Sequence, residues 1–195
     1  MFEKQQEVYV IRHGETEWSL SGQHTGTTDL PLTENGRKLA RLLQPMLANH
    51  SIARILTSPL QRARETCQLA GFGEKAEVDT NLVEWNYGEY EGITTKQIHD
   101  KRPGWVIFTD GCPGGETPEE VGARADRIIT KARTTRGNVA LFAHGHILRV
   151  LVARWLGLPA SGGRYFLLHT GTLNVLSYYR GIPAVKIWNA PMVQG

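Results

Sequence analysis

EVYVIRHG, residues 7–14, is an apolar run that ends in a cation, an imidazole and a glycine. A buried strand that stops in this way delivers Arg12 and His13 to its C-terminal end, where open α/β sheets build their sites. Two further runs share the apolar character, IARILT from Ile52 and NVALFA from Asn138, and the second leads into another His-Gly pair, His144 and Gly145. All three read as short strands buried on both faces of a sheet.

Helical patterns lie between them. Leu39, Leu42, Leu43, Met46 and Leu47 recur at helical spacing, and Pro45 is expected to kink or shorten that helix. In SPLQRARETCQLA, Ser58 is placed to cap a helix and Pro59 to open it. Thr117, Pro118 and Glu120 form a capping-box signature ahead of a helix whose Val121, Ala125, Ile128, Ile129 and Ala132 share one face. ILRVLVARWLG, from Ile147, is apolar nearly all round, as a buried helix is. Strands alternating with helices predict an α/β fold with a largely parallel sheet. LNVLSYY and AVKIWN, joined through RGIP, predict a hairpin near one sheet edge.

The 195 residues fit a single domain over 1–195. Within it, residues 84–117 are rich in Gly, aromatic and charged residues and read as a loop and short-helix insertion over a strand end. No run approaches the roughly 20 apolar residues of a membrane span, and the N-terminus lacks a secretory pattern, so a cytoplasmic protein with no membrane partner is expected. The two cysteines, Cys67 and Cys112, exclude a disulfide framework and a zinc ligand set. Lys and Arg are scattered, which argues against a nucleic-acid partner and directs the net charge of +3 to a local anion pocket.

If the strands that end in His-Gly are parallel neighbours, His13 and His144 converge and Arg12 comes with them. Arg62 adds a second cation one turn into the helix after Thr57, near a helix N-terminus that favours anions. Two arginines and two histidines suit a phosphoryl group. The guanidinium fork matches phosphate oxygens, one neutral imidazole attacks phosphorus, and the other remains charged to stabilise the transition state. The leaving alkoxide needs a proton, and Glu84, after TNLV and beside Trp85 and Tyr87, has apolar neighbours that favour its protonated form. His146 reads as a residue that orients the His144 loop, and Arg149 as an ion-pair partner for an acidic side chain. His24 has no assignment, Trp18, Trp85 and Trp105 fall in site loops, and Trp155 and Trp188 read as core.

RHGETEW, SPLQRARET, EWNYGEYEG and AHGHILR, in that order, resemble the motifs of the histidine phosphatase superfamily over roughly residues 8 to 155. The resemblance implies a three-layer α/β/α sandwich, mostly parallel with one antiparallel edge strand. It implies a phosphohistidine at His13, a phosphate pocket of Arg12, Arg62 and His144, and Glu84 as proton donor, with neither metal nor organic cofactor. TEWSLSGQHTGTTDLPLT and DGCPGGET add a similarity to the sugar-bisphosphate phosphatases of that superfamily. That similarity implies a small phosphate ester such as sedoheptulose 1,7-bisphosphate, held by Ser19, Gln23, Thr25 and Gly26, with Tyr87, Tyr90 and His146 nearby. Mutases of the superfamily carry adjacent arginines after the Glu motif, where this chain has Lys96, Lys101 and Arg102 without such a pair, so hydrolysis is expected over transfer. A phosphoglycerate mutase-type transferase and a catalytically silent phosphate-binding module are the rival readings, and homo-oligomerisation is left open.

Overall fold

A computed structural model describes residues 5–191. Six strands form one sheet in the order β3-β2-β4-β1-β5-β6, comprising β1 (Val8–Arg12), β2 (Ile52–Thr57), β3 (Glu77–Val78), β4 (Asn138–Ala143), β5 (Thr172–Tyr179) and β6 (Ile182–Pro191). The first four are parallel, and β5 runs antiparallel to both β1 and β6. The predicted hairpin therefore closes one side of the sheet, with β6 as its rim. Its two-residue turn is Arg180-Gly181, both at positive φ (52° and 81°), the geometry that matches strand twist in tight hairpins.

Side-chain alternation along the strands separates two cores. Tyr9, Ile11, Ala140 and Phe142 pack with Leu43 and Leu47 of α2 (Glu34–Ala48) and Cys67 of α3 (Gln61–Leu69). Val8, Val10, Val139 and Leu141 face the other way, against Ala125 and Ile128 of α6 (Pro118–Thr134) and Leu148 and Val152 of α7 (Gly145–Trp155). Helices on both faces of a mostly parallel sheet make the expected three layers. The remaining helices are short: α1 (Glu17–Ser21), α4 (Thr95–Lys101) and α5 (Ile107–Asp110). Ile98, Trp105, Ile107 and Phe108 join the α6/α7 core, so much of segment 84–117 is packed against the body.

Three local expectations need correction. β2 is buried only over Ile55, Leu56 and Thr57, because β3 pairs with Leu56 and Thr57 alone and leaves the start of β2 uncovered. α2 continues past Pro45 to Ala48; the proline stands on the exposed face, where water can satisfy the carbonyl that its missing N–H releases. Ser58 does not cap α3. That helix starts at Gln61 after Leu60 with no side-chain cap, and Ser58 turns toward His144 instead. The capping box of α6 forms as expected, with Thr117 Oγ1 accepting from Glu120 N at 3.2 Å.

Candidate active site

β1 and β4 end side by side: His13 N donates to the Ala143 carbonyl at 2.9 Å, and the His13 and His144 rings lie 5.2 Å apart, centroid to centroid. The chain leaves β1 through Gly14, where a Cβ would lie 2.6 Å from the Gly36 carbonyl oxygen at the start of α2. Bare backbone is therefore required at this crossing. Gly14 N donates to Thr66 Oγ1 (3.0 Å), which in turn donates to the Arg62 carbonyl, so the loop after β1 is tied to α3.

His13 turns its Nδ1 edge to the backbone. Its Nδ1 donates to the Gly14 carbonyl at 2.7 Å, which leaves Nε2 unprotonated, and the residue lines the pocket. Burial, followed by the charges of Arg12 and Arg62, pushes the imidazolium acidity well below the ordinary histidine value of 6.5, so the ring is neutral at neutral pH.

His144 is corrected from charged stabiliser to neutral bridge. Arg62 Nε donates to its Nδ1 at 3.1 Å, which requires a lone pair there; its Nε2 therefore carries the proton and donates to Ser58 Oγ at 2.7 Å. Burial and then Arg62 hold its pKa well below 6.5. Arg62, fully buried, also donates through Nη1 to the Thr28 carbonyl and through Nη2 to those of Thr25 and Gly26. Four of its five N–H groups are thus engaged, and one on Nη1 remains. Arg12 differs: Nη1 donates to the Leu168 carbonyl at 2.6 Å, while Nε is buried without a partner among the described residues. A permanently charged guanidinium with an orphan donor at a pocket wall suits an anionic group.

Glu84 is fixed by backbone. Oε1 accepts from Trp85 N and Ile147 N, and Oε2 from His146 N, each at 2.9 Å. Two of these donors belong to the first turn of α7, whose orphan N–H groups and dipole favour a carboxylate. Three backbone N–H groups thus fix the carboxyl group against the start of α7. Trp85 sends its indole N–H away from the site, to the Glu116 carbonyl.

The pocket these groups share has a volume of about 170 Å³. Arg12, His13, Glu84, Ser19, Gln23, Thr25, Tyr87 and His146 line it, together with Trp18, His24 and Arg149. Arg62 and His144 stand behind this lining. Gly26 and Tyr90 are also absent from the wall. A Cβ on Gly26 would sit 2.6 Å from Glu91 Oε2 and 2.7 Å from the Trp85 carbonyl oxygen, so its contribution is close packing; Tyr90 instead packs edge-on against Trp105 at 5.1 Å. Among the described residues no group of three or more His, Cys, Asp or Glu side chains gathers to hold a metal ion.

Sequence reasoning missed three contributors. Arg149 has no carboxylate within salt-bridge distance among the described residues; it donates to the carbonyls of Gly163 and Arg164 and lies over the Phe108 ring at 4.5 Å. Glu91 accepts from Gly26 N (2.9 Å) and Thr28 N (3.0 Å) and so braces the loop whose carbonyls hold Arg62. Ser58, which orients His144, carried no signal beyond its proximity to the end of β2.

The model of the histidine phosphatase superfamily (branch 1) matches residues 8–191. An acid phosphatase of Mycobacterium tuberculosis (strain ATCC 25618 / H37Rv) is 36% identical over 182 residues, covering 91% of this chain and 89% of that protein. The sedoheptulose 1,7-bisphosphatase of Saccharomyces cerevisiae (strain ATCC 204508 / S288c) is 38% identical over 181 residues, covering 76% and 67%. The solved structure of the Mycobacterium tuberculosis open reading frame Rv3214 superposes with a TM-score of 0.93 at 34% identity, covering 96% of this chain and 99% of that one.

Proposed function

Because the chain belongs to the histidine phosphatase superfamily and is a phosphomonoesterase, we propose that it hydrolyses a small phosphorylated metabolite, a sugar phosphate or sugar bisphosphate, through a phosphohistidine on His13. The observation that carries this reading is the pairing of a neutral His13 on the pocket wall with Arg12, His13 Nε2 and the buried Arg12 Nε both being without a partner among the described residues. The phosphoryl group docks between them, and the remaining Nη1 proton of Arg62 supports it from behind. His144 holds the Arg62 fork in place.

The proton balance follows from the substrate. A phosphate monoester loses its second proton near pH 6, so the monoanion carries one proton into the pocket and passes it to Glu84. Attack then forms the bond from His13 Nε2 to phosphorus as the ester P–O bond breaks, and Glu84 gives its proton to the departing alkoxide. In the second step Glu84 takes a proton from water, the oxygen attacks phosphorus, and the P–N electron pair returns to Nε2. Water is consumed, the alcohol leaves, and phosphate departs as its monoanion with the proton that Glu84 took from water.

For a bisphosphate, Arg149 is the cation placed to take the second phosphate, since it shares the pocket with Arg12 and its side-chain hydrogen bonds go to carbonyls alone among the described residues. Lys96, Lys101 and Arg102 are exposed and lie outside the pocket lining, and Arg102 approaches Asp110 at 3.3 Å, which favours hydrolysis over retention of the phosphoryl group for transfer. The test is a rapid quench with labelled substrate, mapped by mass spectrometry, beside steady-state rates on sedoheptulose 1,7-bisphosphate, fructose 1,6-bisphosphate, sugar monophosphates, 3-phosphoglycerate and an aryl phosphate in the presence of EDTA. Acid-labile phosphate on His13, lost with turnover in His13→Ala, is expected. Turnover in His13→Ala, or label on another residue, overturns the mechanism; equal efficiency on mono- and bisphosphates removes the second-phosphate assignment.

A further inference from the structure

His146 is not explained by the phosphoryl chemistry. Its backbone N–H serves Glu84, its ring lines the pocket, and its Nδ1 lies 2.6 Å from Tyr87 Oη. Burial, then the carboxylate of Glu84, drives the Tyr87 phenol well above its ordinary acidity of 10, so the phenol keeps its proton and is the donor in this bond. Burial, followed by the charge of Arg149, drives the His146 imidazolium well below 6.5. A neutral imidazole that accepts at Nδ1 must carry its proton on Nε2. That Nε2 has no partner among the described residues.

We propose that Tyr87 is a positioning residue that fixes His146 as the Nε2–H tautomer, and that this N–H donates to an oxygen on the carbon beside the ester, selecting phosphate monoesters of polyols. The assignment rests on the phosphomonoesterase reading above. Placement supports this role: the ring lines the same pocket as His13, Arg12 and Glu84, with its Nδ1 edge 3.9 Å from Glu84 Oε2. The aromatic surroundings keep the ring from turning over, with Phe108 at 5.3 Å and His24 at 5.9 Å between ring centroids.

Glycerol 3-phosphate and n-propyl phosphate share a carbon skeleton and differ in the hydroxyls, so the ratio of their kcat/KM values reads this contact within any one variant. One hydrogen bond to a neutral partner is worth about tenfold. In Tyr87→Phe the ratio is expected to fall by about that factor, in His146→Ala likewise, and in the double variant no further. Nitrogen-15 NMR of the unmodified protein supplies a readout independent of activity and of how the variants fold: a pyridine-type Nδ1 and a pyrrole-type Nε2 are expected for His146. The opposite tautomer, a ratio unmoved by Tyr87→Phe, or losses that multiply in the double variant would each overturn the proposal. Absence of phosphohistidine in the unmodified protein would instead defeat the phosphatase mechanism, and the NMR result would still stand on its own.

Discussion

Glu84 accepts three backbone N–H groups, and that count governs what its replacement does. Glutamine keeps the shape but turns one end into a donor that must face an N–H or leave its bond, and it has no proton to give as an acid. For Glu84→Gln, kcat on a sugar phosphate is expected to fall by roughly 10² to 10⁴, and on an aryl phosphate far less, since the aryl oxide leaves unaided; steady-state kinetics with both substrates will show it, and equal losses would remove Glu84 from the acid role. Arg149→Met keeps the stem over Phe108 and deletes the charge. Its preference for a bisphosphate over the matching monophosphate should drop roughly tenfold to a hundredfold, the worth of a charged hydrogen bond, as read from the two kcat/KM values. Arg12, His13, Glu84 and His144 could be picked out of the sequence because each stands at a strand end or in a short motif. Ser58, Glu91 and Arg149 could not, because their roles depend on partners 86, 65 and 14 residues away.

At the level of elements, the site depends on how closely the loop after β1 lies on α2. A Cβ at Gly36 would sit 2.3 Å from the Glu15 carbonyl oxygen, which is backbone and cannot swing aside. Gly36→Ala is therefore expected to cost about 1–3 kcal/mol or more, measurable as a lower urea midpoint with unchanged slope, accompanied by reduced activity because His13 sits on the displaced loop. A midpoint within experimental error of the unmodified protein would show that the contact can open freely. The N-terminus of α7 illustrates a second element-scale device. His144 occupies its cap position without capping, and Glu84, 60 residues earlier, supplies the missing acceptor to the first-turn N–H groups of His146 and Ile147. Helix periodicity could place α7, but its cap could be known only once the Glu84 loop was seen to cross it.

Across the whole molecule, four imidazoles are held neutral by burial: His13, His144 and His146 have pKa values well below 6.5, and that of His24 is lowered to about 4. Below pH 6.5 the unfolded chain takes protons that the folded chain refuses, so the contribution of these groups is fully present above 6.5 and is lost as pH falls from 6.5 toward the folded-state values. The melting temperature is expected to decline over pH 6.5 to 4, and calorimetry at half-unit steps will test it; a flat profile there would mean that the imidazoles are charged in the folded state. The same depression keeps His13 nucleophilic below pH 6.5, so kcat/KM should persist into the range where the substrate is a monoanion. By itself the sequence determined the alternation of strands and helices, the parallel core and the two His-Gly strand ends, because apolar periodicity and glycine spacing are local and need no partner to be read. Only the tertiary structure decided that His144 is a neutral bridge, that Glu84 sits in the α7 N-terminus and that Arg149 enters the pocket, because protonation and hydrogen-bond partnership depend on which distant groups share a buried space.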